Sequence, residues 1–468
     1  MAGKAIYMGP RLKRLRRDLG LTQANMAADL EISPSYIALL ERNQRPVTAD
    51  LLLRLAQTYP IDLSTLSDSG QDEWAARLQG ILKEPFFADL DLPALDIADI
   101  ATNYPGFAEA MLRLHTAYAE EQLALAERQS LPPGSAEMPS AASDPVGEVR
   151  HFLAARRNCF AVLDDHAGQL AGEIGGAAGM VRRLEDHHGL SVRFVGSDIT
   201  QGALRWHDIH RKRLYISQLL DHPARNFQLA LQLAHMEAGG AIASALGAGR
   251  FNSANGHSMA ARALAAYWAA ALLMPYRAFA RAARAQRHDI EALSRQFQTS
   301  FEQVAHRLTT LQKPGEEGVP FFFLRIDRAG NVSKRLDGAG FPFARHGGAC
   351  PLWNIHAAFE APGSIVTQRL ELPDGQRFIS IARTVSAGGG SFQAPVARRV
   401  VALACAEEHA GLLVYHDQLA QSEPAPIGVA CHLCHRPHCI ARSAPPLGRE
   451  MHPDTNLETG IPFAFADR

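Results

Sequence analysis

Long apolar runs are scarce in this chain. The most hydrophobic stretch, "ALAAYWAAALLMP" from Ala263 to Pro275, has 13 residues, short of the roughly 20 that a bilayer-crossing helix needs. It is expected to be a buried helix that Pro275 stops. Cysteine is scarce as well, with six in 468 residues, and Met1 to Arg17 is basic without the continuous apolar core of an export leader. That combination argues against a disulfide-built scaffold and for a reducing, cytoplasmic setting with no membrane partner. Net charge is almost absent, at −1.

Near-neutrality conceals an asymmetry. Residues 1–60 hold nine Lys/Arg against five acids, so this segment is basic while the remainder is mildly acidic. A small basic head suits binding of a polyanion. Its sequence breaks into short helices. Leu12, Leu15 and Leu19 make one apolar stripe that Gly20 ends, and Thr22 reads as the N-cap of a helix burying Met26, Ala27 and Leu30. Ser33 reads as a second cap, with Pro34 at the first helical position and Ile37 and Leu40 inward. The phrase "LTQANMAADLEISPSYIALLERNQRPVTADLLLRLA" resembles the phage-repressor helix-turn-helix of the XRE regulators, except that Glu31 stands where that family commonly places Gly.

In such modules the second helix of the pair enters the major groove with its N-terminal residues at the base edges. Ser33, Ser35 and Tyr36 are the candidate base readers, and Gln23, Asn43, Arg14 and Arg45 the candidate phosphate contacts. Tyr36 has a bland alternative, packing on Leu40 one turn further on. The expected partner is double-stranded operator DNA. One head covers half of a two-fold operator, so the periodic, Pro-broken segment that follows is expected to be a dimerisation arm of a homodimer or higher oligomer.

The expected fold class is multidomain α+β. Residues 1–65 form an all-α head, 66–147 a helical connector ending in the linker-like "LPPGSAEMPSAASDPVG", 148–311 an α/β domain and 312–468 an antiparallel β-rich domain with a Cys-rich tail. In the third segment, "GLSVRFV" and "RKRLYIS" read as strands before a helix over "PARNFQLALQLAHMEAGGAIASAL". This order is similar to the zinc-peptidase-like domain fused to XRE heads. There, His-Glu-x-x-His puts two zinc ligands one turn apart with a Glu to activate water. Here the motif falls on Leu231, Gln232, Leu233, Ala234 and His235. Leu cannot ligate zinc and Gln cannot take a proton, so a repressor-cleaving peptidase is disfavoured and the chain is expected not to be an enzyme. The cationic run around Arg205, His210, Arg211, Lys212 and Arg213 suits either a phosphorylated ligand or a solvated turn.

The last fifty residues contain Cys431, Cys434 and Cys439, spaced C-x2-C-x4-C. Three thiolates are one short of a full site. Cys350, Cys159, Cys405 and the local His432, His435 and His438 are candidates for the fourth. Cys350 stands in a Gly-rich loop before Pro351 and is preferred, whereas Cys405 lies in apolar "VVALACAEEH" and reads as a small buried hydrophobe. Four thiolates fit an iron–sulfur cluster or zinc, and the adjacent histidines favour zinc.

The order of head, degenerate peptidase-like domain, "SFEQVAHRLTTLQKPG", "GVPFFFLRID", "GGACPLWNIHAAFEAPG" and Cys tail resembles one family over nearly the whole chain. This is the short-chain fatty acyl-CoA-responsive regulators, which include regulators of propionate and acetate metabolism. The resemblance implies a cytoplasmic transcription factor with CoA or a short-chain acyl-CoA as effector in the middle domain. It also implies a 4Fe-4S cluster held by Cys350, Cys431, Cys434 and Cys439, with zinc the alternative. Arg205 and Arg213 are the candidates for the ligand's phosphates and Tyr267 for the pocket wall. A regulator answering to the redox state of that cluster is the alternative function.

Overall fold

The structure is a computed structural model. It describes residues 9–42, 44–45, 47–59, 75, 78–82, 87, 90, 92–104, 107–108, 110–112, 114–115, 118, 145–200, 202–338, 341, 350–388, 392, 396–419, 422–431, 434–436, 438–446 and 451. They fall in two compact units, Met1–Gln122 and Leu123–Arg468.

The first unit is helical. α1 (Gly9–Asp18), α2 (Gln23–Asp29), α3 (Pro34–Glu41) and α4 (Ala49–Thr58) enclose a core of Leu12, Met26, Ala27, Leu30, Ile37, Leu40, Val47, Leu51 and Leu55. The helix starts follow the local chemistry. The hydroxyls of Thr22, Ser33 and Thr48 accept from the backbone N–H groups of Asn25, Tyr36 and Leu51 at 3.1, 3.1 and 3.3 Å. Pro34 occupies the first turn of α3, where its missing N–H leaves no bond unmade. Glu31, between α2 and α3, takes φ 54°, the left-handed conformation that explains Gly at this place in the XRE pattern. In the connector, α5 (Ala94–Asn103) belongs to a small cluster of Leu78, Ile97, Ala101, Ala108 and Leu112.

The second unit opens with α6 (Pro145–Ala154), α7 (Ala161–Ile174) and α8 (Ala177–Arg182), the last running into a π turn at Arg183–His187. A three-stranded sheet follows, ordered β1-β3-β2, with β1 (Ser191–Val195) parallel and β2 (Arg205–Asp208) antiparallel to β3 (Arg213–Ser217). The expected strands are β1 and β3. β2 lies within the segment read only as a cationic cluster. The expected long helix is two, α9 (His222–Glu237) and α10 (Gly239–Gly247), because Ala238-Gly239-Gly240 is poor helix chain. α11 (Ala254–Leu273) contains the apolar run, and Pro275 caps the next helix, α12 (Tyr276–Ala285).

α13 (Ile290–Phe297) and α14 (Phe301–Leu308) meet at a tight turn in which Gln298 is left-handed and Ser300 and Gln303 form a capping box. This has the outline of a second helix-turn-helix, but α14 cannot read DNA, because Phe301, Val304, Ala305, Arg307 and Leu308 are all buried. Arg307 is wholly enclosed, and its Nη2 donates to Asp164 of α7 at 2.5 Å. Its Nε donates to the Met274 carbonyl at 3.1 Å. The motif serves as a joint between the α/β part and the six-stranded sheet that follows.

That sheet has the order β5-β4-β8-β7-β6-β9 and is antiparallel except at its last pair. Its strands are β4 (Phe322–Ile326), β5 (Val332–Leu336), β6 (Ile365–Glu371), β7 (Arg377–Gly388), β8 (Val396–Ala406) and β9 (Ala425–Pro426). Pro373-Asp374-Gly375 turns β6 into β7, with Gly375 at φ 85°. One sheet face packs on α12–α14 through Phe321, Phe323, Ile379, Ile381, Val401, Leu403 and Cys405. The other packs beneath Phe341, Cys350, Trp353 and Ile427. β9 pairs parallel to β6 at Leu370↔Ala425 and Glu371↔Pro426, which anchors the start of the Cys tail at the sheet edge.

Candidate functional site

In the head, the candidates divide into inward and outward groups. Gln23 Nε2 donates to Glu41 Oε2 at 2.8 Å, and Arg16 Nε to Glu41 Oε1 at 2.5 Å. Burial pushes the Glu41 carboxyl up, but the bonds from Arg16 and Gln23 outweigh it and hold it below its ordinary value. The Gln23 amide nitrogen thus ties α2 to α3. Ser33 is exposed, with its hydroxyl engaged in capping. Ser35 and Arg45 are exposed, and Tyr36 is half-buried against the core. Asn43 and the Arg14 side chain lie outside the described residues.

The middle-domain candidates do not form one pocket. Pairing of Arg205 with Ile216 and of Asp208 with Arg213 sets the two arginines at opposite ends of the β2–β3 hairpin. They are roughly 10 Å apart along the strands, and alternation puts them on opposite faces. As candidates for the ligand's phosphates they could therefore not fork one phosphate together. Arg213 is exposed and lies beside Tyr215. Tyr267, the candidate for the pocket wall, is 4% exposed, donates to Asp164 Oδ2 at 2.5 Å and accepts from the Phe160 N–H at 3.1 Å. Its hydroxyl belongs to the buried Asp164–Arg307 network.

Arg205 faces α9, where its Nη1 donates to the Gln228 carbonyl at 3.4 Å. On the same face, His207 Nδ1 meets Gln232 Nε2 at 3.2 Å. Gln232, at the general-base position of a zinc peptidase, is buried and bonded to a neighbour, and Leu231 packs against the domain core. His235 lies one turn further along α9. Burial, then the charges of Arg205 and Arg262, hold its imidazole below the ordinary value. Nothing in the sequence singled out Arg262, a lone Arg in the Ala-rich helix α11. A separate cavity of about 550 Å³ opens beside Leu246, Gly249, Phe251, Asn252, Ser253 and His257.

Four cysteines meet at the tail. Cys350, Cys431, Cys434 and Cys439 line one cavity together with Gly428 and Arg442. The loop is built for close approach to sulfur. A Cβ on Gly428 would stand 2.8 Å from both Cβ and Sγ of Cys434. The Gly428 and Leu352 N–H groups point at the Cys350 sulfur, and the Ser443 N–H and Oγ lie 3.4 and 3.2 Å from Cys431 Sγ. Arg442, which sequence reasoning missed, is 6% exposed. It donates to the carbonyls of Cys431, Cys434 and Arg436 at 3.1, 2.9 and 2.7 Å. Among the described residues no three His, Cys, Asp or Glu side chains converge as the ligands of one ion would. The thiols instead surround a shared space. Cys405 is fully enclosed in β8, and burial pushes its thiol far up. Cys159 sits beside Asp164 and Tyr267.

Comparison with known proteins then gives the family. The family described as short-chain fatty acyl coenzyme A regulator, C-terminal, matches residues 310–463. An IrrE N-terminal-like domain matches 185–309 and a helix-turn-helix 12–66. The propionyl-CoA carboxylase regulator of Cereibacter sphaeroides is 40% identical over 99% of both chains. The chain belongs to the short-chain fatty acyl-CoA regulators. Among further members, the transcriptional regulator RamB of Mycobacterium tuberculosis is 36% identical over 98% of both chains. PrpR of the same organism is 33% identical over 99% of this chain and 96% of its own. A solved Mycobacterium tuberculosis transcriptional regulator superposes with a TM-score of 0.65 at 36% identity, covering 69% of this chain and all of its own. This member is thus a helix-turn-helix transcription regulator. No helix among its described residues is long and apolar enough to cross a membrane.

Proposed function

We propose that this regulator is a cytoplasmic, homo-oligomeric DNA-binding protein whose affinity for its operator responds to CoA or a short-chain acyl-CoA. Its targets are genes of propionate or acetate metabolism. The observation that carries this reading is one chain joining a helix-turn-helix head to a peptidase-like fold without peptidase chemistry. Leu231 and Gln232 remove a zinc ligand and the base, so the fold is left to bind rather than to cleave. The exposed start of α3, at Ser33 and Ser35, is the base-reading end, with Arg45 and Arg14 on phosphates. Operator binding measured with CoA, acetyl-CoA and propionyl-CoA tests the reading. Tight binding that no CoA ester alters would overturn it.

The C-terminal cavity supports a 4Fe-4S cluster held by Cys350, Cys431, Cys434 and Cys439. Four thiolates suit such a cluster or a single zinc, and these four thiols line one shared cavity. A bound cluster would supply one-electron chemistry. The residues here supply four sulfurs, N–H donors toward two of them and the Arg442 staple. Iron, sulfide and zinc analysis of anaerobically purified protein decides between cluster and zinc. Because Cys431 and Cys439 are not fully buried, a redox-sensing role is the second reading. It requires oxidation alone to change operator affinity.

A further inference from the structure

The connector buries one apolar stripe and leaves a second one in water. After α5, the described residues of 107–118 are helical, and the helix starts where the Tyr104 carbonyl accepts from the Phe107 and Ala108 N–H groups at 2.9 and 3.0 Å. Ala108 and Leu112, one turn apart, pack with Leu78, Ile97 and Ala101 as the connector's own small core. Phe107, Ala110 and Leu114 recur at i, i+3 and i+7, which groups them on the other side of the helix. All three are exposed, Phe107 at 57% and Leu114 at 66%, and Tyr104 beside the helix start is 55% exposed. A surface helix with its core on one side ordinarily carries polar residues on the other. Their spacing here is that of a coiled-coil seam, in which apolar side chains three and four apart seat against a facing helix.

A seam of this kind is self-complementary, so the occupant it fits is a second copy of the chain, in an isologous contact closed by a two-fold axis. The head calls for the same axis independently, since one helix-turn-helix covers half of a two-fold operator. Area then sets the strength. An aromatic side chain offers about 150–250 Å² in all, so Tyr104, Phe107 and Leu114 at these exposures offer roughly 300 Å² per copy. Two copies cover roughly 600 Å², about half of what the smallest stable complexes bury. That is too little to hold a dimer together in dilute solution. It suffices once two half-sites on one duplex raise the effective concentration of each copy for the other.

We propose that the face carrying Phe107, Ala110 and Leu114 is the seam through which two copies meet, and that they pair on the operator rather than before reaching it. The inference deepens the homo-oligomer reading and rests on it, naming the surface and the order of assembly.

The test uses the full-length protein, a duplex selected from random sequence for tight binding, and a shorter duplex holding one half-site. Sedimentation counts the copies bound, and titration compares affinity for the two duplexes. The proteins are the unsubstituted chain, Phe107→Lys, Leu114→Lys, Leu114→Ile and Phe392→Lys. Phe392 is a wholly exposed apolar residue of the other unit and controls for the added charge. The unsubstituted chain should be monomeric at micromolar concentration without DNA, and two copies should bind the full duplex at least tenfold more tightly than one binds the half-site. Phe107→Lys and Leu114→Lys should abolish that advantage with half-site affinity and unfolding midpoint unchanged, while Leu114→Ile and Phe392→Lys keep it. An advantage that survives both seam lysines overturns the seam and leaves the homo-oligomer reading standing. A dimer already formed at micromolar concentration without DNA overturns the order of assembly. A single copy on the full duplex overturns both readings. Amide exchange in the unsubstituted chain gives a check that needs no variant to fold. Slower exchange over 107–118 on the full duplex than on the half-site supports the proposal, and equal exchange overturns it.

Discussion

At the scale of single residues, the side chains that decide the most are buried and charged. Asp164 and Arg307 are both sealed from solvent, and Tyr267 and Thr310 complete their hydrogen bonds. Removing one partner strands the other charge in a dry interior, which costs about 3–5 kcal/mol. Arg307→Met should therefore lower stability by about that amount, read as a shift in urea midpoint, while replacement of both partners by apolar residues should cost less. Four histidines act together on pH dependence. His235, His288, His306 and His356 are all held below their ordinary value with burial the largest cause, and His306 also faces Lys334, Arg307 and Arg325. The unfolded chain takes up protons at these positions near pH 6.5 and the folded chain does not, so stability falls as pH drops below about 6.5. Thermal melts between pH 7 and pH 5.5 should show this fall, and His306→Leu, which keeps the packing on Phe323, should make it shallower.

At the scale of elements, local chemistry explains both what could be read from the sequence and what could not. The capped helices of the head were legible because Thr22, Ser33 and Pro34 are start signals acting within four residues. Glu31 is the departure that matters: at φ 54° a side chain costs about 1 kcal/mol that Gly avoids. Glu31→Gly should therefore stabilise the head by up to that amount, measured as a rise in its melting midpoint. β2 was not legible as a strand, because "RWHD" has no β-branched residue and is held by its register against β3. The bond from Tyr267 to Asp164 was not legible, because an apolar helical pattern does not reveal which hydroxyl will meet a buried acid. The fourth cysteine was legible from a Gly-rich loop, but Arg442 was not, since a lone Arg carries no spacing signal. Its bonds to the carbonyls of Cys431, Cys434, Arg436 and Ala444 hold the tail loop in shape. Arg442→Met should release metal or cluster from protein that still folds around its sheet, read as loss of bound metal with unchanged far-ultraviolet dichroism.

At the scale of the whole molecule, the head has its own core while the peptidase-like and β-rich parts share one. The peptidase-like and β-rich parts are therefore mechanically continuous through Arg307, α12–α14 and the sheet face they cover. α9 touches that shared core through Phe227, and the Cys cavity lies on the far face of the same sheet. Whatever route carries the signal to the head, thermodynamics fixes its symmetry. If a CoA ester shifts operator affinity tenfold, which is about 1.4 kcal/mol, operator DNA must shift affinity for that ester tenfold in the same sense. Measuring ester binding to the full chain with and without saturating operator tests this directly. Equal factors in the two directions would show one coupled equilibrium. An ester that alters operator binding while its own affinity ignores DNA would mean that a third species, such as the cluster's oxidation state, had changed between the measurements.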